Sequence, residues 1–279
     1  MKAARNGAEQ SYYAGRQAYS LQAPQALFGS RDLFRRAVAQ DPGLAKARAL
    51  LAYTLIQAWL QGWSGESALN EACDEAEEAL RRAPKDPYAH AQLGFYHLNT
   101  GHFAAALNFY RAATELPGSS DEIRVDRAEA EIYAGNIDTG IALIREAMAG
   151  KKKEEVPDWY RWDLAWAHYL KGREAAGGEK DAMEELDRMR AAPKDPAYMV
   201  DCLLLRAVVE TKLGLTDAAK GDLDLFLQRR TDWTLWREKR SVRFRRTADE
   251  LSTGSMAARR RGCRGNPAFR PHPDRGKIG

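Results

Sequence analysis

Apolar residues in this chain of 279 recur at intervals of three and four, the spacing that places them on one helix face. The segments that carry this pattern come in pairs, separated by Gly, Pro and Asp. The clearest pair is PYAHAQLGFYHLNTGHFAAALNFYRAATELP, from Pro87 to Pro117, which predicts two short amphipathic helices folded back on each other about Gly101. Leu93 and Gly94 in the first helix meet Ala106, Tyr110 and Ala113 in the second. The small residues let two helix backbones approach, and Tyr110 is expected to fill the wedge left between neighbouring hairpins. No stretch alternates with period two, so no sheet is predicted.

Weaker copies of this unit cover most of the chain. A first hairpin runs from about Glu9 to Asp41, with Ala14-Gly15 in one helix and Phe34 and Ala37 in the other. The second starts near Leu44, carries Leu51-Ala52 and then Ala72, Ala76 and Ala79, and is lengthened by an insertion, AWLQGWSGES. The fourth spans about Ser120 to Gly150, with Ala128, a turn at Gly135, then Gly140, Ile144 and Ala147. The fifth begins at Pro157, with Leu164-Ala165, a turn at Gly172, and Leu186 and Met189 in its second helix. The sixth follows Pro196 and holds Ala207, Gly214, Ala219, Leu223 and Phe226. Marking each first helix by its small residue (Gly15, Ala52, Gly94, Ala128, Ala165, Ala207) gives spacings of 37, 42, 34, 37 and 42. Ala-Pro-Lys-Asp-Pro occurs at Ala83–Pro87 and again at Ala192–Pro196 as helix punctuation: a stop, an Asp cap and a Pro for the next first turn.

These offsets resemble the tetratricopeptide repeat, whose pattern sets Leu-Gly in one helix against Ala-x3-aromatic in the next. His97 stands where the pattern has Tyr. The resemblance implies an all-α fold, a right-handed α-solenoid of about six helix hairpins over residues 9–251, closed by a capping helix from about Trp233 to Leu251. Residues 1–8 and the Gly-, Arg- and Pro-rich stretch 252–279 are expected to be disordered.

Two aromatic clusters, Leu51–Trp63 and Pro157–Tyr169, are similar to motifs of the C-terminal tetratricopeptide region of bacterial class III adenylate/guanylate cyclase-like proteins and related winged-helix regulators. That resemblance covers roughly Tyr12 to Leu251 and implies a stand-alone or truncated relative of such a tail. The metal-binding Asp pair and strands of a cyclase domain have no counterpart in the sequence, so no cyclase activity carries over. Two alternatives stay open: an accessory subunit or fragment whose catalytic domain lies on another chain, and a nucleic-acid binder working through a basic C-terminal end.

Charge sharpens the division of the chain. The net charge is +4, but residues 252–279 hold seven basic residues against Asp274 alone, leaving the other 251 residues at −2. No apolar run reaches the length of a membrane span, and the opening residues lack the apolar core of a secretory signal, so no membrane contact and a cytoplasmic setting are expected. Cys73, Cys202 and Cys263 are too scattered for a disulfide framework or a zinc site.

Candidate chemistry is sparse. His90, His97 and His102 fall within thirteen residues, but no carboxylate or thiol joins them at ligand spacing, so neither a metal nor another cofactor is implied. No nucleophile elbow, P-loop or zinc-protease motif occurs, and Asp and Glu are spread along the helices as solvated faces require. No catalytic residue is assigned. The register turns Tyr53, Tyr88, Phe95 and Asn99 toward the concave surface, and likewise Tyr133, Trp162, Trp166 and Tyr169. Such side chains suit capture of a protein or peptide partner, including a second copy of the chain; the alternative is packing between neighbouring repeats. The Lys/Asn pattern that clamps a C-terminal carboxylate is absent from the second repeat, which has Lys46, Ala49 and Tyr53. Arg229–Arg246, with Trp233, Trp236 and Phe244, reads as a cap helix with Arg outward, and less readily as a base-stacking surface.

Overall fold

The computed structural model describes residues 2–19, 24–173, 177–194 and 196–229. Among the described residues there are twelve α-helices and no strand. The first three hairpins are α1 (Lys2–Tyr19) with α2 (Pro24–Gln40), α3 (Ala45–Leu60) with α4 (Glu66–Arg82), and α5 (Pro87–Asn99) with α6 (Phe103–Glu115). The next three are α7 (Asp121–Tyr133) with α8 (Ile137–Met148), α9 (Asp158–Gly172) with α10 (Gly178–Ala191), and α11 (Pro196–Lys212) with α12 (Thr216–Arg229).

Local chemistry sets the helix ends. Asp86 caps α5, its carboxylate accepting from the Tyr88 backbone N–H at 2.9 Å, and Pro87 takes the first turn, where it forfeits no hydrogen bond. The chain leaves α5 through Gly101 at φ 84° and leaves α7 through Gly135 at φ 96°, a region that costs a residue with a Cβ but not glycine. Ser120 caps α7 by accepting from the Ile123 N–H at 3.4 Å.

Each odd-numbered helix packs most closely on the even-numbered helix that follows it, and next on its sequence neighbours. The odd helices α3, α5, α7, α9 and α11 also touch in succession, whereas the even helices meet one another only through side-chain ion pairs such as Arg35 with Glu71. The result is an all-α solenoid with the odd helices lined up as one wall. Close approach within a hairpin depends on the small residues read from the sequence. A Cβ on Gly94 would stand 2.9 Å from the Tyr110 ring, and one on Gly15 would stand 2.7 Å from Phe34. Ala52, Ala128, Ala165 and Ala207, at the same place in other hairpins, are all fully buried.

The structure departs from the sequence reading in four places. Helix α1 begins at Lys2, seven residues ahead of the expected start at Glu9, because Ala8, Ser11, Tyr12 and Gly15 continue one buried stripe at helical spacing. Half of the insertion AWLQGWSGES is helix rather than loop: α3 runs on through Leu60 and α4 starts at Glu66, with Trp59 buried and its indole N–H donating to Glu66 Oε1 at 3.1 Å. Gly172 closes α9, while the positive φ of that connection lies at Gly177 (114°). Finally, several acidic groups are buried instead of forming solvated faces. Glu131 and Glu210 are 1% and 2% exposed, and Asp222 is 3% exposed. The expected capping helix and C-terminal tail lie outside the described residues.

Those buried carboxylates expose an alternation. The fourth and sixth hairpins carry Arg127-Ala128-x-x-Glu131 and Arg206-Ala207-x-x-Glu210, where the third and fifth carry Leu93-Gly94-x-x-His97 and Leu164-Ala165-x-x-His168. Glu131 accepts from Arg111 at 3.1 Å and from Asn136 at 2.8 Å. Arg206 donates through Nε to Asp222 at 2.7 Å and through its terminal nitrogens to Glu210 at 2.9 Å and to Asp187. Arg190 adds a further bond to Asp222 at 3.0 Å, tying α10 to α12.

Candidate peptide-binding wall

The eight residues expected to line a groove fall on the odd helices α3, α5, α7 and α9 but not in one cluster. Near the N-terminal end, Tyr53 on α3 and Phe95 on α5 are half-buried, their rings 5.1 Å apart, and Tyr19 stands 5.5 Å from Tyr53 on the other side. Gln57 donates to the Tyr53 hydroxyl at 2.9 Å and holds that ring in place. Tyr88 is 45% exposed at the start of α5. Asn99 is buried, and its amide donates to the Phe95 carbonyl at 2.9 Å, within its own helix.

The other four residues lie deep. Tyr133 stacks on Phe103 at 5.9 Å. Trp162 stacks on Trp166 at 6.1 Å, and Trp166 lies 5.6 Å from Tyr169. Tyr133, Trp162, Trp166 and Tyr169 are 3%, 1%, 1% and 0% exposed.

Sequence reasoning passed over the acidic members of this wall. Glu129 stands one residue after Ala128, the place held by Tyr53, Phe95 and Trp166 in their own hairpins. Asp126 and Asp163 share the place two residues before the small marker. That common register was the signal available, and it is masked because a carboxylate on an amphipathic helix resembles a solvated face. Glu129 is 8% exposed and Asp163 1%. Asp158 is also buried and accepts from the Lys194 backbone N–H at 2.7 Å. Burial pushes the Tyr160 hydroxyl well above its ordinary range, and the carboxylates of Glu122, Asp121 and Asp126 push the same way against Arg124.

The histidines do not converge on a site. His97 stacks on Phe109 at 5.4 Å, His90 reaches the Pro84 carbonyl at 2.9 Å, and His168 lies 3.6 Å from an Asp181 oxygen. Burial lowers the basicity of both His97 and His168, with His102 adding to the effect on the first. Among the described residues no group of His, Cys, Asp and Glu could hold a metal ion. A cleft of about 310 Å³ between α8, α9 and α10 is lined by Asp138, Arg145, His168, Lys171 and Asp181, with Lys171 paired to Asp138. Cys202 is buried, which pushes its thiol up to about 12, far from nucleophilic.

A scan of known sequence families gives no match, and no curated protein is similar in sequence. Solved structures are similar. One is TTC0263, a tetratricopeptide-repeat protein of Thermus thermophilus: TM-score 0.57 at 20% identity, covering 71% of this chain and 98% of that one. The chain has the tetratricopeptide-repeat fold. A second neighbour is PilW, described as a widely conserved type IV pilus biogenesis factor, at TM-score 0.58 and 16% identity over 80% of this chain and 94% of that one. A third is the human IFIT1 dimer with m7Gppp-AAAA, at TM-score 0.64 and 13% identity, covering 77% of this chain and 49% of that one. The tetratricopeptide fold accounts for the inner wall of first helices and the small-on-large packing at Gly94 and Tyr110. No helix among the described residues is long and apolar enough to cross a membrane.

Proposed function

We propose that this chain is a non-catalytic protein-interaction scaffold, and that the wall of odd helices holds a polypeptide partner. The observation that carries the reading is the succession of α3, α5, α7, α9 and α11 side by side, with aromatic and acidic side chains recurring at the same register. Aromatic rings supply contact area at little entropic cost, and carboxylates along the same line select for basic residues. The tetratricopeptide fold and its solved neighbours support an interaction role. The resemblance of Leu51–Trp63 and Pro157–Tyr169 to cyclase tails supplies a context: a stand-alone relative of such a tail, working in the cytoplasm with a bacterial partner.

A photo-crosslinking residue placed at position 95 on the inner wall tests this in the native host. Capture of a protein there, with none from position 81 on the exposed end of α4, is the expected result. Equal capture from both positions refutes the reading. A nucleotide cyclase chain among the captured proteins identifies the accessory-subunit form of it.

A further inference from the structure

The inner wall changes character along its length. In the second and third hairpins the place after the small marker holds Tyr53 and Phe95, and the place two before it holds Leu50 and Gln92; the later hairpins bring in carboxylates, with Glu122, Asp126 and Glu129 on α7, Asp163 on α9 and Asp201 on α11. The aromatic group Trp162, Trp166 and Tyr169 lies in the same stretch. Surfaces of this kind on an open solenoid meet water, yet here the three rings are at most 1% exposed and Glu129 and Asp163 are nearly as deep. A carboxylate taken that far from water is stable only beside cations or strong donors.

Opposite chemistry follows directly in the sequence. The chain runs fifty residues past Arg229, the last residue of α12, and the stretch 229–246 holds eight basic residues against two acidic ones, with Trp233, Trp236 and Phe244 among them. Guanidinium groups pair with carboxylates in two-pronged fashion and lie flat on aromatic faces, so one Arg- and Trp-bearing segment answers both features of the wall.

We propose that the wall formed by α7, α9 and α11 takes the chain's own segment 229–246 as its ligand, and that a partner with a basic, aromatic segment must displace it to bind. This rests on the scaffold reading and adds to it the chemistry of the occupant. It also differs from the sequence-based expectation that the same stretch caps the open end beyond α12.

Limited trypsin digestion of the full chain, read bond by bond by mass spectrometry, tests the assignment. The bonds after Arg237, Arg240, Arg243 and Arg246 are expected to be cut at least about tenfold more slowly than those after Arg259, Arg260 and Arg261 in the same chain. Reversing the wall with Asp126→Lys and Glu129→Lys should erase that protection while the helical circular-dichroism signal is kept. Since those substitutions fall inside the fold, Arg240→Glu with Arg243→Glu offers a second route that leaves the wall intact and should expose the segment equally. Equal cutting of segment and tail in the unaltered chain overturns the proposal. Protection that survives both pairs of substitutions also overturns it and places the segment at the end of α12. A fluorescein-labelled peptide of residues 229–246 then separates the two readings. Binding to the Arg240→Glu, Arg243→Glu chain about tenfold tighter than to the unaltered chain supports self-occupancy. Equal binding to both chains overturns self-occupancy and leaves the scaffold reading standing; binding to neither overturns both.

Discussion

The third and sixth hairpins close on one register with opposite chemistry. In the third, Tyr110 lies flat on Gly94 and the contact belongs to an apolar core that continues from α5 into α11. In the sixth, the places of Leu93 and His97 are taken by Arg206 and Glu210, and the apolar core shared by α11 and α12 shrinks to Leu203, Leu204 and Phe226 with their neighbours. Apolar packing has no preferred partner and degrades gradually. The ionic joint works only while Arg206, Asp222, Glu210, Asp187 and Arg190 are all in place. One scaffold therefore contains two kinds of seam, one tolerant and one conditional.

The sharpest way to break the comparison is at the ionic seam. Arg206→Leu leaves Asp222 and Glu210 buried without their main cation and should cost about 3–5 kcal/mol, read as a lower urea midpoint. Adding Glu210→Tyr to that variant, which brings in the repeat pattern's own residue, should recover part of the loss; no recovery would mean that the network is structural beyond its charges. At the apolar seam, Gly94→Val drives two methyl groups into Tyr110 and should cost about 1–3 kcal/mol. The matching Gly29→Ala, exposed within α2 where a Cβ meets nothing within 4 Å, should be neutral or stabilising by up to about 1 kcal/mol.

Acid should separate the seams with opposite signs. His97 and His168 are held less basic in the folded chain than in the unfolded one. The unfolded chain therefore takes up protons first, and these hairpins lose stability as pH falls through the ordinary histidine range, near 6.5. Burial raises the Glu210 carboxyl, so its contribution runs the other way, present at low pH and lost as pH rises. Native-state hydrogen exchange at pH 7 and pH 5.5 should show α5 and α9 loosening relative to α7 and α11. The smallest effect is at the surface: Arg31→Ala breaks a pair with Asp32, whose side chain is 63% exposed, and should change stability by less than about 0.5 kcal/mol.

Much of this fold was legible in the sequence because small-on-large packing is written at fixed offsets. Gly94 and Tyr110, Gly15 and Phe34, and the cap at Asp86 with Pro87 announce hairpins without reference to anything distant. The ionic seam was not legible. A carboxylate such as Glu131 or Asp222 looks the same in the sequence whether water or an arginine from another helix surrounds it, and Arg111 lies twenty residues from the group that it neutralises. Burial was not legible either: register groups Trp162 and Trp166 on one helix but does not say that both rings lie only 1% exposed.

The even helices meet one another through isolated ion pairs, Arg35 with Glu71 and Arg190 with Asp222, whereas the odd helices from α3 to α11 pack directly in succession. Such an arrangement is pinned mainly along one edge, like the ribs of a hand fan. Small rotations at each pin add up from hairpin to hairpin, so the rod can tighten or relax its curve while the contacts inside each hairpin stay as they are.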